Sequence, residues 1–270
     1  MSRIEKAIEK ANQLRGEGLA TVSPLKVTPA KPAVPSVEPP AVAAIKPDNP
    51  FLVINCDPAE GVAEEYRKLK SVVFELTQQQ EFKNTLLVTS DLPEAGKSLT
   101  ALNLALTLAN EYDHTVLLVD TDLRRPSLHK YLGIEAKKGL VHCLTEGYPL
   151  EKALIRTGIG KLVVLPAGGT VDDPAELLAS SRMSTLVAEL KARYSDRYVI
   201  FDSTPLLPFA EAKVLGSLVD GALFVVRERK TRHEHLREAL AMLNPEKLLG
   251  IVYNDVDASQ RMGRYRYRYY

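Results

Sequence analysis

Apolar residues along this chain fall into two regimes. From residue 85 onward, short unbroken apolar runs bounded by polar residues recur: TLLVTS at 85–90, TVLLVDTD at 115–122, KLVVLPAG at 161–168, RYVIFDS at 197–203, DGALFVVR at 220–227 and KLLGIVYN at 247–254. Near-continuous apolar strands separated by helix-length stretches predict a parallel sheet covered on both faces. A helix is expected from about residue 58 through Glu64, Tyr66, Arg67 and Phe74, and SLTALNLALTLAN at 98–110 predicts another.

The first 50 residues follow a different pattern. Ile4, Ala7, Ile8, Ala11 and Leu14 fall on one face at helical spacing, and Ser2 with Glu5 has the form of a capping box. So short a helix is marginal in water unless its apolar face docks. It packs on its own domain or is partly frayed, or it serves as a docking peptide for a partner or another copy; periodicity alone leaves these open. Eight prolines from Pro24 to Pro50 then mark a segment unable to build a core, extended and partly polyproline II. The expected division is an amphipathic helix at 1–18, a Pro/Ala-rich linker at 19–50, an α/β domain at 51–256 and a flexible tail at 257–270.

Charge changes this picture little. Lys plus Arg number 35 against 34 Asp plus Glu, so net charge predicts no nucleic-acid partner. Cys56 and Cys143 form no CxxC or paired spacing, which argues against a disulfide framework or zinc site and fits a reducing compartment. The charged start lacks a signal-peptide core, and no apolar run approaches the ~18 residues of a membrane span. A soluble cytoplasmic protein is expected.

Candidate chemistry concentrates at strand ends. Ser90-Asp91-Leu92-Pro93-Glu94-Ala95-Gly96-Lys97-Ser98 lies directly between a strand and a helix, the context a phosphate-binding Walker A loop needs. There, backbone N–H groups and the helix N-terminus face phosphate oxygens. Lys97 would reach the β- and γ-phosphates and Ser98 would ligate Mg2+. The usual first glycine is replaced by Asp91. Asp120 and Asp122 end the second apolar run and Asp202 ends RYVIFDS, so all three carboxylates should converge on the loop. One or two suffice for magnesium, leaving another to accept a proton from an attacking hydroxyl. His233 and His235 read as a solvated helix start rather than a metal site. The predicted fold class is α/β, a P-loop NTPase with a mostly parallel, doubly wound sheet, preceded by an N-terminal helix and a Pro-rich linker.

The combination resembles the bacterial tyrosine kinases (BY-kinases) of polysaccharide export. SDLPEAGKS followed by Asn103-Leu104-Ala105, LLVDTDLRRP at 117–126, VIFDSTP at 199–205 and LPAGGTVDDPAELL at 165–178 carry the likeness, and MSRIEKAIEKANQLRG is similar to an exosortase-associated branch of autokinases. By position, the resemblance implies ATP and Mg2+ as cofactors. Lys97, Asp120 and Asp122 would be catalytic, with Asp120 the base. Pro93, Glu94, Ala95, Gly96, Lys97, Ser98, Leu99, Arg125 and Asn254 would bind nucleotide, Arg124 and Arg125 shaping the loop beside it. Ser98, Asp122 and Asp202 would hold magnesium and its water shell. The family's E-x-x-R-x-x-R oligomerisation motif stands here as Glu64, Arg67 and Lys70, lysine lacking the planar fork of arginine. A solvated charged helix face is the competing reading of those three. Two departures bear on activity. Glu94 replaces a loop glycine, harmful if its carboxylate points at the phosphates, and Thr204 replaces a proline.

Tyr265, Tyr267, Tyr269 and Tyr270 close the chain, interleaved with Arg264, Arg266 and Arg268. Each phosphate adds about −1.5 to −2 charges, so modification would turn a basic tail acidic and loosen an assembly that the unmodified tail holds together. The resemblance implies trans autophosphorylation of these tyrosines regulating exopolysaccharide biosynthesis, export and chain length. It further implies a homo-oligomer, a membrane polysaccharide co-polymerase that recruits and activates the chain at the inner membrane, and an opposing tyrosine phosphatase. Two alternatives remain open. One is a ParA/MinD-like switch ATPase, whose extra loop lysine corresponds here to Leu92. The other is a nucleotide-dependent scaffold with little transfer activity.

Overall fold

The computed structural model describes residues 44–57, 61–79, 81–193 and 196–257. The expected N-terminal helix, most of the linker and the tyrosine tail lie outside the described residues. Seven strands form one sheet: β1 (Thr85–Ser90), β2 (Thr115–Asp120), β3 (Ile155–Arg156), β4 (Leu162–Leu165), β5 (Arg197–Asp202), β6 (Gly221–Arg227) and β7 (Leu248–Asn254). Their spatial order is β3-β4-β2-β5-β1-β6-β7, and every pairing is parallel except that of β3 with β4. All six apolar runs are strands. The two-residue β3 is too short to carry a period of its own.

Period-two alternation assigns successive strand residues to opposite faces. Leu86 and Val88 of β1, with Ile200 of β5, join one core; Leu87, with Val199 and Phe201, joins the other. The first core is covered by α1 (Val62–Thr77) and α2 (Lys97–Ala109), with α3 (Leu128–Leu132) beyond them. The second core is covered by α4 (Leu140–Thr145), α6 (Pro174–Ala179), α7 (Ser181–Arg193), α8 (Glu211–Leu218) and α9 (His233–Ala241); α5 (Leu150–Ala153) adds Ala153. Helix α2 is buried nearly all round, from Ala101 to Ala109, because it lies between the sheet and α1.

Residues 44 to 50, the end of the expected linker, lie on this α/β body. The Ile45 N–H donates to the Thr157 carbonyl at 2.9 Å, and Pro47 is buried. Leu52 is fully buried in the first core. Asn103 of α2 holds this stretch from both sides, its amide donating to the Phe51 carbonyl (2.9 Å) and its oxygen accepting from the Val53 N–H (3.0 Å). Asn103 is a polar residue on an otherwise apolar face; those two bonds are what make its burial tolerable.

Candidate active site

The carboxyl ends of β1, β2 and β5 lie side by side at the centre of the sheet, where connections depart in different directions. Such a switch point is where open α/β sheets bind ligands. Asp120 and Asp202 are direct partners in the β2–β5 register, so parallel pairing alone places the two carboxylates on adjacent strands at one level. Above them opens a cleft of about 1730 Å³, lined among others by Glu94, Lys97, Ser98, Asp122, Arg124 and Asn254.

The phosphate loop connects β1 to α2. Ser90 Oγ donates to the Leu92 carbonyl at 2.9 Å, closing the first turn. Glu94 has φ 64° and Gly96 φ 92°, both in the left-handed region. A side chain at Gly96 would collide with the Asn254 amide, which donates to the Ala95 carbonyl at 3.0 Å. Glycine is therefore required at 96 by backbone and by space. The Glu94 side chain is exposed at the cleft edge, and the residue is held through its carbonyl, which accepts from Arg227 Nη1 at 3.0 Å. Asp91, standing where the usual glycine would be, is buried and accepts from the Thr231 hydroxyl at 3.2 Å. Thus β6, β7 and the turn after β6 grip the loop from behind.

Lys97 opens α2 and its ammonium lies 3.0 Å from Asp122 Oδ2 and 3.3 Å from Ser98 Oγ. Burial alone would lower its pKa, but the charges of Asp202 and Asp122 outweigh that and raise it. The segment after β2 is folded back by its own carboxylates. Asp122 Oδ1 accepts from the Arg125 N–H (3.0 Å), and Asp120 Oδ2 accepts from the N–H groups of Ser127 (3.1 Å) and Leu128 (3.2 Å) at the start of α3. Leu123, between them, is anchored in the second core. Thr121 donates N–H and hydroxyl to the Asp202 carbonyl, tying the ends of β2 and β5 together.

Asp120 and Asp202 are fully buried; Asp120 Oδ1 finds no hydrogen-bond partner among the described residues, and Asp202 has at most the nearby Ser98 hydroxyl. Burial, then the neighbouring Asp202 charge, pushes Asp120 well above the usual carboxylate range. Burial likewise raises Asp202 to about 6, against the opposing pull of Lys97. Orphaned buried carboxylate oxygens are costly, which is the signature of a site built for a cation. No group of three acidic, histidine or cysteine side chains among the described residues forms a metal cage by itself. Magnesium does not need one, since one or two carboxylates, a hydroxyl and substrate phosphates suffice. Ser98, Asp122 and Asp202 fit that donor set.

The structure thus lines one cleft with Pro93, Glu94, Gly96 to Leu99, Asp122, Arg125 and Asn254, while Ala95, Asp120 and Asp202 are buried and off its lining. Glu64, Arg67 and Lys70 lie apart on α1. Glu64 and Arg67 pair with each other in solvent, whereas Lys70 pairs with Glu111 just beyond the end of α2. Tyr265, Tyr267, Tyr269 and Tyr270 lie outside the described residues. Sequence reasoning missed Glu211, which holds Arg124, and Arg227, which holds the loop. Neither stands at a motif spacing, so only their burial and contacts reveal them.

Comparison with known proteins agrees with this geometry. Residues 86–266 match the CobQ/CobB/MinD/ParA nucleotide binding domain family. Tyrosine-protein kinase YwqD of Bacillus subtilis is 36% identical over 77% of this chain and 86% of its own length. The succinoglycan biosynthesis transport protein ExoP of Rhizobium meliloti is 33% identical over 77% of this chain, which spans 26% of ExoP. The kinase domain of the Escherichia coli tyrosine kinase Etk superposes with a TM-score of 0.71 at 27% identity, covering 83% of this chain and 85% of that one. The chain therefore belongs to the CobQ/CobB/MinD/ParA nucleotide-binding family and, within it, to the bacterial tyrosine-protein kinases.

Proposed function

We propose that this kinase transfers the γ-phosphoryl group of ATP to Tyr265, Tyr267, Tyr269 and Tyr270 of a neighbouring copy, and thereby regulates exopolysaccharide synthesis, export and chain length. The observation that carries this reading is the convergence of Lys97 and Asp122 with the partner-poor carboxylates of Asp120 and Asp202 at the phosphate loop. Loop N–H groups and the start of α2 would hold the phosphates, and Lys97 would move from Asp122 to the β- and γ-phosphates. Magnesium, held by Ser98, Asp122 and Asp202, would neutralise charge on those phosphates. The tyrosine oxygen bonds to the γ-phosphorus as the bond to the β–γ bridging oxygen breaks, and ADP leaves. Asp120 takes the phenolic proton. Its raised pKa suits it to that role, while Asp122 would be holding magnesium.

The exposed Glu64–Arg67 face of α1 would contact the neighbouring copy; Lys70, paired within the chain, would contribute less. Among the described residues no helix is long and apolar enough to cross a membrane. Residues 1–18 would dock on a membrane polysaccharide co-polymerase from the cytoplasmic side, and a tyrosine phosphatase would reset the tail. The name of ExoP supports this pathway.

The test mixes chains. A tail-truncated parent is incubated with Mg-ATP and a full-length Lys97→Met chain, and phosphotyrosine is mapped by mass spectrometry. Phosphate on the Lys97→Met tail is expected. Bare tyrosines alongside continuing ATP hydrolysis, with the membrane partner present, would overturn the reading.

A further inference from the structure

Beside the phosphate loop stands an ion pair of which only the arginine belongs to a motif. Glu211, in the first turn of α8, is fully buried, and its Oε1 accepts from Arg124 Nε at 2.7 Å. The Arg124 guanidinium also lies over the ring of Phe209, 4.5 Å from its centroid. Arg124 is itself partly exposed, at 37%, and lines the cleft with Lys97, Ser98 and Asp122. We propose that Glu211 and Phe209 are positioning residues that aim the free edge of Arg124 at the γ-phosphoryl group of bound nucleotide.

The energetics favour this role over a purely structural one. Burying a carboxylate completely is expensive, and a single ion pair seldom repays the desolvation. Glu211 makes it worse, because Oε2 has no partner among the described residues. Such a pair persists where it fixes an orientation. Glu211 takes only the Nε–H, and the ring of Phe209 fixes the plane. Both terminal amino groups of Arg124 remain without a partner among the described residues, a planar fork matched to two phosphate oxygens. Besides Lys130, three other cations line the cleft, and they differ from Arg124. Lys97 is engaged by Asp122, and Arg227 is spent on Asp255 and the Glu94 carbonyl. Among the described residues Arg125 is fixed through its backbone N–H. Arg124 alone among these is held by a buried carboxylate while lying open toward the cleft.

This inference rests on the kinase reading but can fail separately from it. Glu211→Gln keeps the shape and an acceptor for Nε while removing the charge; Phe209→Leu removes the face. Each variant of the full chain, with Arg124→Ala and the Glu211→Gln/Arg124→Ala double variant, is checked for an unchanged urea midpoint. It is then assayed for phosphotransfer and for ATP and ADP dissociation constants. Losing the charge-assisted bond loosens Arg124, and displacing a charge-stabilising group by about 1 Å costs up to ~100-fold in rate, so Glu211→Gln should lower kcat about 10- to 100-fold. The parent's preference for ATP over ADP should shrink several-fold, ADP affinity staying within twofold. The double variant should be no slower than Arg124→Ala, because Glu211 acts through that arginine. An unchanged ATP/ADP ratio in Glu211→Gln, or losses that multiply in the double variant, would overturn the proposal. A parent that transfers no phosphate to tyrosine sinks the kinase reading instead, and the ATP/ADP ratio then decides this one alone. Should Glu211→Gln shift the urea midpoint, Phe209→Leu, which leaves the buried charge paired, decides by the same ratio.

Discussion

Replacing Glu94 by glycine should stabilise this kinase, although it removes a side chain from a phosphate-binding loop. Glu94 adopts φ 64°, where an L-residue pays roughly 1–2 kcal/mol for the approach of its Cβ to the following carbonyl. Glycine escapes that cost but loses about 0.5–1 kcal/mol more backbone entropy on folding. The difference leaves a gain of about 0.5–1 kcal/mol. The tether to Arg227 runs through the Glu94 carbonyl, so it survives the substitution. Equilibrium urea unfolding should show a higher midpoint at constant m, and Tm should rise by roughly 1–4 °C. Glu94→Ala is the control, because alanine keeps the Cβ and should leave stability nearly unchanged. If alanine stabilises as much as glycine, the charge rather than the backbone is responsible and the reasoning fails. A destabilised Glu94→Gly chain would equally refute it. Removing this exposed carboxylate from the cleft edge should also tighten ATP binding about 2- to 5-fold, the scale of a solvent-screened charge.

Stability of the metal-free kinase should fall as pH rises from about 4 to 6. Burial raises Asp202 from 3.8 to about 6, so the folded chain binds more protons than the unfolded one in that window. The loss amounts to at most about 3 kcal/mol; it should shrink in Asp202→Asn, and equal slopes for parent and variant in EDTA-buffered urea titrations would contradict the assignment. Asn103→Ala removes both hydrogen bonds to residues 51–53 and should cost about 2–3 kcal/mol. The same variant should label faster at Cys56 with maleimide, and an unchanged labelling rate would show that Asn103 does not hold that segment. Thr204 is fully buried and its hydroxyl has no partner among the described residues, so the isosteric Thr204→Val should stabilise by about 1 kcal/mol. A loss of stability in calorimetry would mean that the hydroxyl is satisfied in solution.

The sequence by itself determined the elements that are local in origin. Six apolar runs became six strands, five of them with buried residues as a covered parallel strand needs, whereas the edge strand β7 leaves Ile251 and Tyr253 exposed. Lys97, Ser98, Asp120, Asp122 and Asp202 were legible because strand ends and loop spacing are themselves local, and their resemblance to a known family added roles. Tertiary structure decided what depends on contacts between distant residues. Strand order placed Asp120 opposite Asp202, and their mutual burial raised both carboxylates. Arg227 and Asn254, more than 130 positions beyond the phosphate loop, became its rear support. Lys70 turned to Glu111 rather than remaining with its helical neighbours. Glu211 had no motif to mark it; an acidic residue in a helix's first turn is ordinary until folding buries it against Arg124. Periodicity and spacing report what a residue does along the chain, whereas desolvation and charge coupling arise only when the sheet brings strand ends together.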